Sequence, residues 1–338
     1  MPNRSEKRKV KRAKLFLLFT ILISLFLSGC DATYPKQGVK EAIAQICKDE
    51  YDIDVKTEIV GKTIAIYLPL EDLMDFTFSI NQQASEKIND VILSVARVCL
   101  STDENFNFYC VIAHDVRIPE IQIIIIKSVE DVKRLLLSDI SRGEYSKRIL
   151  IDLRLNPQSQ KERSVKEVFQ KMGLDATAQE QVMSDFFRAE PMGLGDIGYW
   201  NDKFYVKDIT VPEFLAEQMV SRVKIEFKED KDLAENFTLK SAKGQYSAGP
   251  EKKYFKLEVL ADMKWFKEAP GAEISSKIFR TAVNMASHVM RSYRFTDFDY
   301  ILISDQGGAR SLVVTREALE KIRTKKMKME DLLKEVQG

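Results

Sequence analysis

Between residues 85 and 115 the apolar positions first recur every three or four residues and then close into an unbroken run, the change of period that marks a helix feeding a strand. Ile88, Ile92, Val95, Ala96 and Cys99 fall on one helical stripe, and residues 106–113 form the strand. The same change returns 190 positions later. Ile278, Ala282, Met285, Ala286 and Val289 make the second stripe, followed by a strand over residues 298–303. Residues 85–115 and 275–305 align without a gap, placing Ala96 on Ala286, Phe108 on Phe298 and Asp115 on Asp305.

The flanks repeat as well. Residues 121–126 and 311–315 return as second hairpin strands, each leading into a charged helix that begins near Ser128 or Arg316. Upstream, residues 55–60 and 63–68 read as a hairpin about the Gly61-Lys62 turn. Its counterpart is residues 237–241 with 254–260, joined by a longer tip rich in Gly, Ser and Lys. Helices over residues 39–49 and 212–223 precede these hairpins. The expected class is α+β, with two duplicated α-β-β-α-β-β-α modules of about 100–115 residues, each an antiparallel four-stranded sheet covered by helices. If each stripe covers its own sheet, Ile92, Val95, Ile112, Ile124, Ala282, Met285, Ile301 and Val313 are core residues.

The domain plan is a leader over 1–29, a tether over 30–38, module 1 over 39–144, a connecting region over 145–211 and module 2 over 212–338. In the connecting region, residues 148–155 alternate as a half-exposed strand, 164–172 and 178–187 read as short helices, and 203–206 as a strand. No stretch there is strongly Pro- or Ser-rich, so the modules are expected to pack together.

The leader has three zones. Seven basic residues between Arg4 and Lys14 oppose the single Glu6, residues 15–27 carry no charge, and the run ends in Leu27-Ser28-Gly29-Cys30. Thirteen uncharged residues suit a signal-peptide core and fall short of the roughly 20 that span a bilayer. Leu27-Ser28-Gly29-Cys30 resembles the lipobox of bacterial lipoproteins. That resemblance implies a diacylglyceryl group on Cys30, cleavage before it and attachment of acyl chains such as palmitate, so the mature chain is expected on the extracytoplasmic side of the cell membrane. Asp31 resembles the signal that keeps enteric-type lipoproteins on the periplasmic face of the inner membrane.

Charge follows from this. Loss of residues 1–29 turns a formal +1 into about −5, with 45 basic against 50 acidic residues. A mildly acidic chain lacks the basic field of a nucleic-acid binder. At 45% hydrophobic and 30% charged, the composition is that of an ordinary globular chain. Apart from Cys30, three cysteines remain, Cys47, Cys99 and Cys110; an odd number excludes a full disulfide framework. Burial as small apolar residues or a Cys99–Cys110 bridge are both open. With His114 and His288 the only imidazoles, and no Cys or His pair at zinc spacing, no metal or cofactor is expected.

Chemistry is sparse. Asp115 and Asp305 end equivalent strands and could meet across a pseudo-twofold axis, or each could cap its own turn. His114 beside Asp115 has no counterpart, since Ser304 stands there in the second copy. Met192, Leu194, Ile197, Tyr199 and Trp200 sit on a glycine-rich stretch that is either an exposed partner-binding loop or a loop tucked between the modules. The basic run 321–328 reads as a helical, solvated face or a contact to anionic lipid. No nucleophile with a matched base, metalloprotease helix or phosphate loop is present. The function expected is a lipid-anchored, non-enzymatic envelope module that binds a protein or envelope partner in the cleft between modules. The alternatives are a hydrolase with its site in that cleft, or a self-associating structural component.

Overall fold

A computed structural model describes residues 34–75, 77, 79–173, 191–264 and 271–337. Cys30, the leader and the helix expected over 178–187 lie outside the described residues.

The chain begins with helix α1 (Val39–Tyr51), the hairpin β1 (Lys56–Val60) and β2 (Thr63–Leu70), and the long helix α2 (Gln82–Ser101). A second hairpin, β3 (Phe108–Asp115) and β4 (Ile121–Ser128), leads into α3 (Val129–Leu136) and α4 (Arg142–Lys147). The connecting region holds β5 (Leu150–Leu155), α5 (Pro157–Met172) and the short hairpin β6 (Gly198–Trp200) and β7 (Lys203–Tyr205). The second half runs α6 (Val211–Glu229), α7 (Lys231–Asn236), β8 (Phe237–Ala248), β9 (Lys253–Met263) and α8 (Gly271–Tyr293). It closes with β10 (Tyr300–Asp305), β11 (Arg310–Thr315), α9 (Arg316–Arg323) and α10 (Met329–Leu333).

The architecture is mixed α+β. The first sheet has the order β1-β2-β3-β4-β5, and the second β11-β10-β9-β8. Each is two hairpins joined by a long helix, and that joint corrects the expectation of an all-antiparallel sheet. A helix between β2 and β3 carries the chain back to the starting edge, so β3 pairs parallel to β2, with Phe108 opposite Thr63 and Asp115 opposite Leu70. For the same reason β10 pairs parallel to β9, with Tyr300 opposite Tyr254. The first sheet also has five strands rather than four, because β5 from the connecting region adds antiparallel to β4.

Helix starts follow local chemistry. Ser128 and Thr315, each the last residue of its hairpin, accept the amides of Asp131 and Ala318 and so cap α3 and α9. Thr210 and Glu213 form a reciprocal capping box on α6, with Pro212 in its first turn.

Two hydrophobic cores result. On one face of the first sheet, Ile64, Ile66, Val111, Ile123 and Ile125 pack with α1, α2 and α3. On the other face Cys110, Ile112, Ile124 and Ile126 join one continuous core with α6, α8 and the inner face of the second sheet. The layers are therefore helices, sheet, helices, sheet. Helix α6 lies between the sheets, which explains why its buried residues point all round: Phe214, Leu215, Ala216, Met219, Val220 and Val223. It presses so close to β8 that a Cβ on Gly244 would stand 2.5 Å from the Ala216 carbonyl oxygen.

Of the eight core residues expected, Ile92, Val95, Ile112, Ile124, Ala282 and Ile301 are buried and Met285 is half-buried. Val313 is 38% exposed, because β11 turns Leu312 and Val314 inward instead. The tip expected between residues 241 and 254 is mostly strand: β8 and β9 pair out to Ala248 opposite Lys253. The basic run 321–328 is helical only to Arg323. Cys47, Cys99 and Cys110 are free and buried. Cys99 and Cys110 contribute to cores on opposite faces of the first sheet, so a bridge between them is sterically ruled out.

Candidate functional site

The glycine-rich stretch between residues 191 and 200 is tucked against the first sheet and α5. Leu194, Ile197 and Tyr199 are buried, Trp200 is half-buried with its indole Nε1 donating to Glu162 at 2.7 Å, and Met192 is 89% exposed. Four polar side chains hold the stretch by its carbonyl groups. Gln122 Nε2 and Asn156 Nδ2 donate to the Tyr199 oxygen at 2.5 and 3.0 Å, Arg154 to that of Ile197 at 2.5 Å, and Gln158 to that of Asp196 at 3.1 Å. The carbonyl groups of Asp196, Ile197 and Tyr199 are thereby satisfied by side chains.

Tyr199 stacks on Tyr67 at 3.7 Å between ring centroids. Lys56 donates to the Tyr199 hydroxyl and to Asp202, both at 2.8 Å. His114 Nδ1 lies 3.1 Å from the Tyr67 hydroxyl, and burial lowers the imidazole pKa against the opposing pull of Asp115. His114 thus serves as one edge of an aromatic stack.

Asp115 and Asp305 are both buried and do the same work at the ends of β3 and β10. Asp115 accepts the amides of Leu73 and Arg117 at 3.1 and 2.9 Å; Asp305 accepts the amide of Gly307 at 3.1 Å and the hydroxyl of Ser275 at 2.6 Å. Each ties the turn after its strand to the start of, or the approach to, the helix that crosses over it. Burial opposes the charge on Asp115, but the two amides and the Arg117 guanidinium hold its pKa below the ordinary carboxylate value. The structure does not join the two carboxylates into one site.

A different constellation stands between the first sheet and α6. A cavity of about 140 Å3 is walled by Ile124 and Ile126 of β4, residues 150–154 of β5, the Leu194-Gly195 backbone, and Glu217, Val220, Ser221 and Lys224 of α6. Glu217 faces this apolar wall. Burial raises its carboxyl pKa, Asp152 adds to the rise, and Lys224 and Arg154 oppose it. Arg154 pairs with Asp152 at 2.9 Å and donates to two carbonyl groups, yet its buried Nε has no partner. No family model matches the chain, and no curated protein or solved structure does either.

The cavity walls are fixed by a buried charge network that sequence reading missed. Arg148 pairs with Asp131 at 2.6 Å and with Glu144 at 2.8 Å; Arg222 of α6 pairs with the same Glu144 at 2.7 Å. Tyr293 of α8 donates to Asp131 at 2.6 Å, and the Arg148 guanidinium lies over its ring. Removing one member of such a network costs about 3–5 kcal/mol, because it strands a buried charge. Glu217 carried one signal in sequence, a lone acid beside Gln218 on a helix turn whose other residues, Phe214, Leu215, Ala216, Met219 and Val220, are apolar. Which wall it would face depended on a sheet contributed by the other module. Among the described residues, no cluster of His, Cys, Asp and Glu could hold a metal ion, and no helix is long and apolar enough to cross a membrane.

Proposed function

We propose that this protein is a lipid-anchored, extracytoplasmic binding or assembly module built from a duplicated α-β-β-α-β-β-α unit, which receives a protein partner in the cleft between its two copies. The observation that carries the binding reading is Glu217, a carboxyl whose pKa burial raises and which has no hydrogen bond among the described residues, in a cavity whose other polar groups are Arg154 with its orphaned Nε, the Asp152 carboxylate, the Ser221 hydroxyl and Lys224. At about 140 Å3 the cavity is well below the 300–1,000 Å3 of a typical small-molecule pocket, so it suits one side chain of a partner. A basic side chain fits best, since it neutralises Glu217 in a setting of low dielectric. The anchor rests on Leu27-Ser28-Gly29-Cys30, and two or more acyl chains hold a protein to a bilayer where one is marginal. The duplication is supported by the shared strand order, the parallel central pairs and the matching roles of Asp115 and Asp305.

Both parts are tested in the native cell. Metabolic labelling with a palmitate analogue is expected to mark the wild-type chain and not Cys30→Ala; label retained on the variant overturns the anchor. A photo-crosslinking residue at Ser221 is expected to capture one partner, with capture lost in Glu217→Ala. Capture that is indifferent to Glu217 overturns the cleft. The second reading, a hydrolase, is favoured by one observation: Glu217, whose carboxyl pKa burial raises, shares the cavity with a second carboxyl, Asp152, and two such groups are the parts of acid–base catalysis. Turnover of envelope material by the purified protein, abolished in Glu217→Gln, would replace the binding reading.

A further inference from the structure

A larger opening lies in neither the cleft nor the tucked loop. Near the C-terminal end of α8, where that helix faces α9, a groove of about 620 Å3 has a floor of Met290, Phe295, Phe298 and Leu319. Arg294 has a left-handed backbone at φ 52°, and Phe295 returns its amide to the Met290 carbonyl, so the chain turns sharply and leaves the apolar floor open beside it. The rim is cationic. Arg291, Arg294, Arg316, Lys321 and Arg323 stand against only Glu317 and Glu320. Arg323 is ion-paired with Glu320, and Arg316 donates to the Thr296 carbonyl and lies 3.8 Å from Glu317. Among the described residues Arg291, Arg294 and Lys321 form no salt bridge; Asp139, whose pKa Arg294 helps to lower, is already ion-paired with Arg134 at 2.6 Å.

Arginines in the last turn of a helix complement its dipole, and that accounts for the charge on α8. It does not account for the floor. An open apolar pocket of ligand size, with a rim on which cations outnumber anions, complements a molecule with an apolar body and one anionic head. We propose that this groove binds a monomeric amphiphilic anion, an alkyl or aryl chain ending in a phosphate or carboxylate, with Arg291 and Arg294 taking the head and the floor taking the chain. The site lies apart from Glu217, and the inference uses neither the cleft nor the anchor.

The test uses the full-length protein in phosphatidylcholine nanodiscs, photolabelled with a decyl phosphate that carries a diazirine in its chain. Label is expected in the peptides spanning 287–298 and 316–323. Excess decyl phosphate should displace it, while inorganic phosphate and decyl maltoside should not. Arg291→Gln with Arg294→Asn, where Asn tolerates the left-handed backbone, is expected to reduce labelling at least tenfold. Ser287→Phe, which fills the groove and leaves its charges, should do the same. Labelling that survives both variants, or competition by inorganic phosphate alone, overturns the proposal. In phosphatidylglycerol discs the label should persist; complete protection by the bilayer assigns the groove to the membrane surface instead and overturns a monomeric ligand.

Discussion

The two sheets share strand order and a parallel central pair, yet one is buried on both faces and the other on one. In β3 and β4 nearly every residue is buried, and the strands read as unbroken apolar runs such as Ile123-Ile124-Ile125-Ile126. In β9, β10 and β11 burial alternates, with Lys256, Glu258 and Ser304 on the outer face between buried neighbours. A two-sided sheet needs apolar residues at every position, whereas a one-sided sheet needs them at every second one. The same topology therefore supports different sequences, and the difference lies in what covers the second face. For the first sheet the cover is α6, α8 and the tucked loop, which serve the second sheet from their other side.

The largest expected effect tests that contrast directly. Ile124→Ala and Ile125→Ala, adjacent in β4 but in different cores, should each cost about 2–5 kcal/mol in chemical denaturation. In β11, Leu312→Ala should cost a similar amount while Val313→Ala changes stability by roughly 0.5 kcal/mol or less. If Val313→Ala proves as costly as Leu312→Ala, the outer face of the second sheet is covered by something else.

Double-sided burial traps even a charge. Lys127, the penultimate residue of β4, is 7% exposed, lies 5.2 Å from the ring centroid of Tyr145, and has its pKa lowered to about 8 by burial. The unfolded chain binds this proton up to roughly pH 10.4. Stability should therefore rise as pH climbs through the window between the two values and carry the full penalty below about 8. Lys127→Met is expected to stabilise the protein at neutral pH by up to about 3 kcal/mol and to lose that advantage as the window is crossed. Parallel pH profiles of wild type and variant would show that the ammonium reaches water.

The smallest effect sharpens the likeness of the sheets rather than their difference. Asp115→Asn and Asp305→Asn each keep one acceptor oxygen for the turn amide, so both should cost on the order of 1 kcal/mol. Because the folded Asp115 carboxyl sits below its ordinary range, its contribution is present above that range and fades as pH falls through it. Thermal melts of the Asp115→Asn variant should approach wild type in acid.

The alternation of helical stripes and strands, the helix starts near Ser128 and Arg316, and the 190-residue offset were legible along the chain, because helices and strands depend on neighbours a few residues away; the caps at Ser128 and Thr315 emerged only in the structure. Leu312 and Val314 rather than Val313 face inward because register is set by the partner strand, and a slip of one residue exchanges the faces. The parallel pairing of β2 with β3, the recruitment of β5 and the insertion of α6 between two sheets required knowing which surfaces meet. The same holds for the candidate sites. Cys30 was read from contiguous residues, and the tucked stretch from residues 191–200 was one of two options. Glu217 and Arg154 meet only because α6 docks against β5, and the groove floor opens only because α8 turns at Arg294 beside α9. Local sequence determined the elements; desolvation and charge pairing between distant segments decided where the chemistry stands, since burial is a property of the assembled chain.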